Sequence, residues 1–305
     1  MSKVKFLNII VLVLMATAVS MCKSRSESQE KARKYDDAPI SVTVSIAPQA
    51  YIVKRIAGDR VNVNIMVPPN ANPETYEPGP KKMVELKDSA IYFAMGLPFE
   101  KSWLDRVRSQ FPGIVFSNMH RNIPLRKMDD DCGTHHHHHH HHGTHDPHLW
   151  MDPVILIQLA QNTVTELLKK DSSNRETYIK NHLELKKELQ VLHDEVVDIF
   201  KNSTGHSFLV YHPAWGYFAE RYGLIQVAVE VDGKEPSASE MAGMIDFIKE
   251  KGVEKIFVQK QFSSSVVRSL SEETGVEAVM LDPLEENVIE SIRRSAAMIK
   301  SGLVK

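Results

Sequence analysis

From residue 40 onward the chain switches repeatedly between two hydrophobic spacings. Ile40-Ser41-Val42-Thr43-Val44-Ser45-Ile46 puts β-branched apolar residues at every second position, the period of a strand. Pro48 then opens a helix over residues 48–56. Residues 61–67 read as a second strand, broken by Pro68-Pro69-Asn70-Ala71-Asn72-Pro73. A helix over 80–86, a strand over 90–95, a helix over 100–107 and a short strand over 114–116 follow. Strands alternating with helices predict parallel pairing and an α/β lobe.

The middle of the chain is helical. Residues 153–169 carry Ile157, Ala160, Val164 and Leu168 at one-face spacing. A longer helix begins at Ser173, with Ser173 and Glu176 as a capping box. Its apolar positions are Ile179, Leu183, Leu185, Leu189, Leu192, Val196 and Ile199, and no Gly or Pro interrupts it before Gly205. At about 1.5 Å per residue it is roughly 40 Å long, enough to join two lobes as a rigid spine. His182 and His193 lie on it at a spacing that suits no common ligand motif, and both read as solvated surface. The α/β alternation then resumes, with strands at 207–211, 225–229, 255–258 and 276–281. The helices are at 214–222, 237–251, 264–274 and 287–300. The predicted fold class is therefore α/β: two lobes, each with a mainly parallel sheet, joined by one long helix. The expected boundaries are 39–170 for the first lobe, 171–203 for the linking helix and 204–305 for the second.

The 305 residues suffice for two lobes of ordinary size. A formal net charge of −2 argues against a nucleic-acid partner, which calls for a basic face. Lys3 and Lys5 precede the apolar run Phe6-Leu7-Asn8-Ile9-Ile10-Val11-Leu12-Val13-Leu14-Met15, and small residues lead to Cys22. Residues 1–22 thus have the form of a signal peptide, too short to span a membrane. Cys22 is a candidate lipid-attachment residue, although Met21 stands where a small residue normally precedes such a cysteine; ordinary secretion is the alternative. Residues 23–38 are polar and read as a disordered tether. The expected location is the periplasm or cell envelope, and the expected state a monomer.

The chemistry concentrates between Asp129 and Pro153. His135, His136, His137, His138, His139, His140, His141 and His142 form an unbroken run, followed by His145 and His148. Gly, Thr and Asp flank it, so residues 129–147 read as a loop. Neutral imidazole is the commonest protein ligand of zinc, copper and nickel, so the loop would collect such ions. The matching Gly-Thr pairs on either side also fit an inserted tag, and an idle low-complexity insert is a further reading. His148 stands apart from the run, in the apolar context His148-Leu149-Trp150-Met151-Asp152-Pro153. Cys132 is an extra soft ligand for the loop or a surface thiol.

In open α/β sheets ligands bind beyond the carboxyl ends of strands. The predicted strand ending at Tyr211 delivers His212, and the one ending at Leu281 delivers Asp282. The loop after residue 67 offers Glu74 and Glu77, and the His-rich loop ends on His148. Two imidazoles and one or two carboxylates meeting in a cleft would make a transition-metal site.

Six segments occur in order: NPETYEP at 72–78, HLWMDP at 148–153, VYHPAWGYFAERYGL at 210–224, GKEPS at 233–237, IFVQKQFS at 256–263 and LDPL at 281–284. Together they resemble the zinc- and manganese-binding proteins of bacterial ABC importers, the ZnuA/TroA-like family (cluster A-I), some of whose members act in cell adhesion. The resemblance covers nearly everything after the tether. It implies two α/β lobes on one long helix, a partner permease in the membrane, and metal ligands at Glu74, His148, His212 and Asp282. Where the family usually has Pro-His-x-Tyr-Glu-Pro, this chain reads Pro73-Glu74-Thr75-Tyr76-Glu77-Pro78, so a carboxylate replaces an imidazole. That set is harder and moves toward Mn2+, while the Irving–Williams order and the His-rich loop favour Zn2+. Zinc is the primary expectation and manganese the alternative.

A zinc hydrolase is the competing class. Catalytic zinc keeps a position open for water, whereas four protein ligands fill the shell, and no His-Glu-x-x-His, Gly-x-Ser-x-Gly or phosphate loop is present. A metal buffer, in which only the His loop matters, is the third reading. The expectation is a binding protein and not an enzyme.

Overall fold

The computed structural model describes residues 38–128, 145–230, 234–262 and 264–305. Cys22, Cys132 and the run from His135 to His142 lie outside the described residues, as do the leader and nearly all of the tether.

The first sheet holds β1 (Ile40–Val44), β2 (Val61–Ile65), β3 (Ile91–Ala94) and β4 (Val115–Asn118), in the order β2-β1-β3-β4. The second holds β5 (Ser207–Val210), β6 (Ile225–Ala228), β7 (Lys255–Val258) and β8 (Glu277–Met280), in the order β6-β5-β7-β8. Both sheets are parallel and repeat one topology. β3 is buried at every position, with Ile91, Tyr92 and Phe93 fully enclosed. A strand covered by helices on both faces has no polar side to show, which explains its continuous apolar run.

The connecting helices of the first lobe are α1 (Ala47–Ala57), α2 (Pro80–Lys87) and α3 (Pro98–Gln110), each with a proline in its first turn, where the missing N–H leaves no bond unmade. Glu100, at the third position of α3, turns back to accept the N–H groups of Met95, Gly96 and Leu97 and the Ser45 hydroxyl. Burial pushes its carboxyl above the ordinary range despite those bonds. α4 (Pro153–Lys170) and α5 (Arg175–Phe200) follow. The second lobe carries α6 (Gly216–Tyr222), α7 (Ala238–Lys251), α8 (Ser264–Thr274) and α9 (Val288–Ser301). Among the described residues no helix is long and apolar enough to cross a membrane.

The described residues from Ser41 onward belong to one compact unit. α5 is the long helix expected, with 26 residues. It packs on α4 and α1 of the first lobe and on α9 of the second, so one helix serves the cores of both lobes. Its capping differs from expectation. Residues 172–174 form a 3-10 turn, Asn174 is the N-cap residue, and the Ser173 hydroxyl donates to Asp171 instead of capping. The buried face runs Tyr178, His182, Leu185, Leu189, Leu192, Val196 and Phe200, and Leu183 is exposed. His182 is accordingly not surface. It faces α4, where Nε2 meets the Gln161 amide oxygen at 3.1 Å, and burial lowers its pKa. His193 is half-buried, with Nδ1 3.2 Å from the Tyr222 hydroxyl. A histidine in a helix heptad can stand for an apolar residue when a polar partner lies opposite, and periodicity alone does not reveal that partner. On α4 the buried stripe is Ile155, Leu156, Leu159, Ala160, Thr163, Val164 and Leu167, so Ile157 and Leu168 sit at its edge.

α6 starts two residues later than its sequence pattern suggests. A Cβ on Gly216 would lie 1.9 Å from Arg126 Nη1 and 2.4 Å from Asp146 Oδ2. The glycine is there to let that ion pair approach the backbone.

Candidate metal centre

Three of the four expected ligands come together. Glu74, His148 and His212 each offer one ligand atom, and these atoms all lie within 4.8 Å of one another. His212 Nε2 is 3.1 Å from His148 Nε2 and 3.6 Å from Glu74 Oε1. Both histidines are buried, and Glu74 is partly buried. Asp282 is buried beside the cleft but is not in that group; its Oδ2 pairs with Lys260 Nζ at 3.3 Å. Glu77, the other carboxylate of the loop after β2, is exposed and also outside the group. His145 is exposed, and its backbone bridges to Lys127.

Local structure explains each placement. Glu74 follows Asn72, whose side-chain oxygen accepts the Glu74 N–H at 2.8 Å and turns the proline-rich loop inward. His148 opens a 3-10 turn, Leu149–Met151, that leads into α4 through Asp152. The Asp152 side chain accepts the N–H groups of Val154 and Ile155 and also receives Arg221 of α6. His212 leaves the end of β5 and is fixed by Gln259, at the end of β7. The Gln259 side chain accepts the His212 N–H and donates to the His212 carbonyl, each at 3.3 Å. Phe262 stacks on the His212 ring with centroids 4.4 Å apart. Trp150 touches His148 edge-on, and its indole N–H donates to the Pro283 carbonyl at 2.8 Å.

Two carboxylates orient the imidazoles. His148 Nδ1 is 2.8 Å from Asp146 Oδ1, and His212 Nδ1 is 2.8 Å from Glu230 Oε2. With Nδ1–H donated to a carboxylate, each Nε2 would keep its lone pair for an ion, and the two Nε2 atoms lie 3.1 Å apart. That is the arrangement in which a carboxylate fixes the tautomer and raises the basicity of a metal-binding imidazole. Asp146 is itself held by Arg126 at 2.8 Å. Burial alone would raise its carboxyl, but the bonds from His148 and Arg126 outweigh it and keep the group below its ordinary value. The Tyr217 hydroxyl, raised by burial to about 12, accepts the Arg126 N–H and donates to the Asp146 carbonyl.

Sequence reasoning did not select Asp146, Glu230, Gln259 or Lys260. Glu230 was within reach, because it lies two residues beyond the end of β6, and strand-end position is the signal that picked out His212. Asp146 lies two residues before His148. Gln259 and Lys260 follow the end of β7 and so share that positional signal, but their partners, far away in sequence, are not readable from it.

The chain has known relatives. The family model described as zinc-uptake complex component A, periplasmic (ZnuA), matches residues 42–301. The high-affinity zinc uptake system protein ZnuA of Bacillus subtilis is 30% identical over 287 residues, covering 92% of this chain and 89% of that protein. The manganese-binding lipoprotein MntA of Halalkalibacterium halodurans is 23% identical over 283 residues, covering 91% and 88%. The zinc-binding lipoprotein AdcA of Streptococcus pneumoniae is 26% identical, and this chain spans 52% of its length. A crystal structure of ZnuA superposes with a TM-score of 0.80 at 32% identity, covering 87% of this chain and 99% of that one. From the ordered motifs, the doubled parallel sheet on its long helix and the match over residues 42–301, the chain belongs to the ZnuA family of zinc-uptake binding proteins.

Proposed function

We propose that this protein is an exported carrier that captures Zn2+ and delivers it to an ABC-type permease for high-affinity uptake. The observation that carries this reading is the convergence of Glu74, His148 and His212, with both Nδ1 atoms tied to carboxylates. Asp282 is the fourth ligand in this reading. Four protein donors complete a tetrahedral zinc shell and leave no position for a reacting water, which supports a carrier and not an enzyme. The loop of residues 129–147, with its nine histidines from His135 to His145, collects ions at lower affinity. Residues 1–22 act as the export leader, Cys22 being the residue for a lipid anchor, and the mature protein works as a monomer.

Manganese is the second reading, and one residue favours it. Glu74 stands where the resembling proteins carry histidine, and a second carboxylate suits Mn2+ better than an imidazole does. The similarity to MntA points the same way. Metal analysis of protein lacking residues 129–144, purified without chelators, separates the readings. One tight zinc ion per chain that a hundredfold excess of manganese does not displace is expected. Preferential manganese retention would replace the zinc assignment, and no tight ion would leave only the buffering loop.

A further inference from the structure

We propose that Lys260 is an internal cation that holds the fourth carboxylate of the cleft until a dication displaces it, so that loading is an exchange of one cation for another. The proposal rests on the reading of Asp282 as a ligand.

The Asp282 carboxylate is almost wholly enclosed, its side chain 8% exposed. A buried carboxylate needs partners on both oxygens. Oδ1 accepts the Leu284 N–H at 2.9 Å, so that oxygen is engaged by the backbone. Oδ2 is the oxygen left for an incoming ion, and it is the one Lys260 Nζ holds at 3.3 Å. Metal and ammonium therefore claim the same atom.

The segment around Lys260 is braced, while the lysine side chain is half exposed. Gln259 clamps the His212 peptide on one side. On the other, Gln261 donates to the Pro69 carbonyl, at the start of the loop that carries Glu74, and Phe262 stacks on His212. Three neighbours of Lys260 thus brace the framework of the metal centre. The Lys260 side chain itself is 52% exposed, so its ammonium can swing to water while its stem stays in place. Charge gives the direction. Glu74 and Asp282 together carry two negative charges, which one dication neutralises. The ammonium would then face a cation across a short gap in a partly enclosed cleft, where repulsion is weakly screened. Return of Lys260 to Oδ2 would in turn loosen the ion for transfer to the next carrier.

The test compares wild type with Lys260→Met, Asp282→Asn and the double variant, titrating Zn2+ in competition with a chelating dye and timing its release to excess chelator. A half-exposed ion pair is a weak competitor, so Lys260→Met should tighten binding roughly three- to tenfold and slow release in proportion. Asp282→Asn should weaken binding, and adding Lys260→Met to it should change nothing further. If Asp282→Asn binds zinc like wild type, Asp282 is not a ligand and the reading beneath the proposal falls. If Asp282→Asn weakens binding but Lys260→Met leaves it unchanged or weaker, the ligand stands and the exchange does not. An equal gain from Lys260→Met in both backgrounds would mean a general field effect, which also overturns the exchange.

Discussion

At the scale of single residues, the centre is decided by pairs. Each imidazole has one nitrogen bound to a carboxylate and one free to point at its neighbour, and the two kinds of contact should respond differently to substitution. His212→Ala removes a donor atom and should lower zinc affinity by more than about 100-fold. Glu230→Gln leaves the donor but relaxes its tautomer and orientation, and should cost about 10- to 100-fold. Isothermal titration on loop-deleted protein measures both. If Glu230→Gln costs as much as His212→Ala, then Glu230 is itself bound to the ion. The contacts of Lys260 and Gln259 belong to the same scale: single side chains, remote in sequence, that fix where a ligand atom stands.

At the scale of elements, the α3 entrance carries a buried group that responds to pH. Glu100 is buried with Ser45 and Tyr92 around it, and its carboxyl titrates above the ordinary value in the fold. The folded protein therefore holds a proton that the unfolded chain has already lost. The resulting stability is complete below the unfolded value, near 4.5, and drains away as pH rises through the folded value. Glu100→Gln cannot titrate, so its melting temperature should gain on that of wild type over the range above about pH 4.5. A constant difference across that range would mean that Glu100 is ionised throughout. The elements themselves were largely legible in the sequence. β-branched alternation and strand–helix succession predict both sheets to within a residue or two, because a parallel strand is specified by a short local run. What escaped was set by contacts across the chain. Ser173 has the sequence of a cap, yet its hydroxyl turns to Asp171. His182 looks polar in a row of letters, and Gln161 makes it a core residue. The centre divides the same way. Strand ends and motifs single out His148, His212, Glu74 and Asp282 as candidates, and the first three of that set lie together, whereas the grip of Lys260 on Asp282 joins two loops that only the fold brings together.

At the scale of the whole molecule, α5 sets the mode of response. It runs without Gly or Pro through both cores, so wide hinge closure between lobes would require breaking a continuous helix. Zinc should instead order the segments around Glu74, His148, His212 and Asp282. Small-angle scattering should give nearly the same radius of gyration with and without zinc, while hydrogen exchange should slow in those segments. A marked fall in radius on binding would count against a stiff α5. At a free zinc concentration a thousand times the dissociation constant, the fold should also gain about 4 kcal/mol. One bond turns this into something that can be watched. The Trp150 indole leans on His148 and donates to Pro283, next to Asp282, so a single chromophore touches both banks of the cleft. Intrinsic emission should therefore change as zinc arrives, and Trp150→Phe should erase the signal while Trp103 and Trp215 continue to shine: the protein carries its own optical gauge of occupancy, readable without a dye.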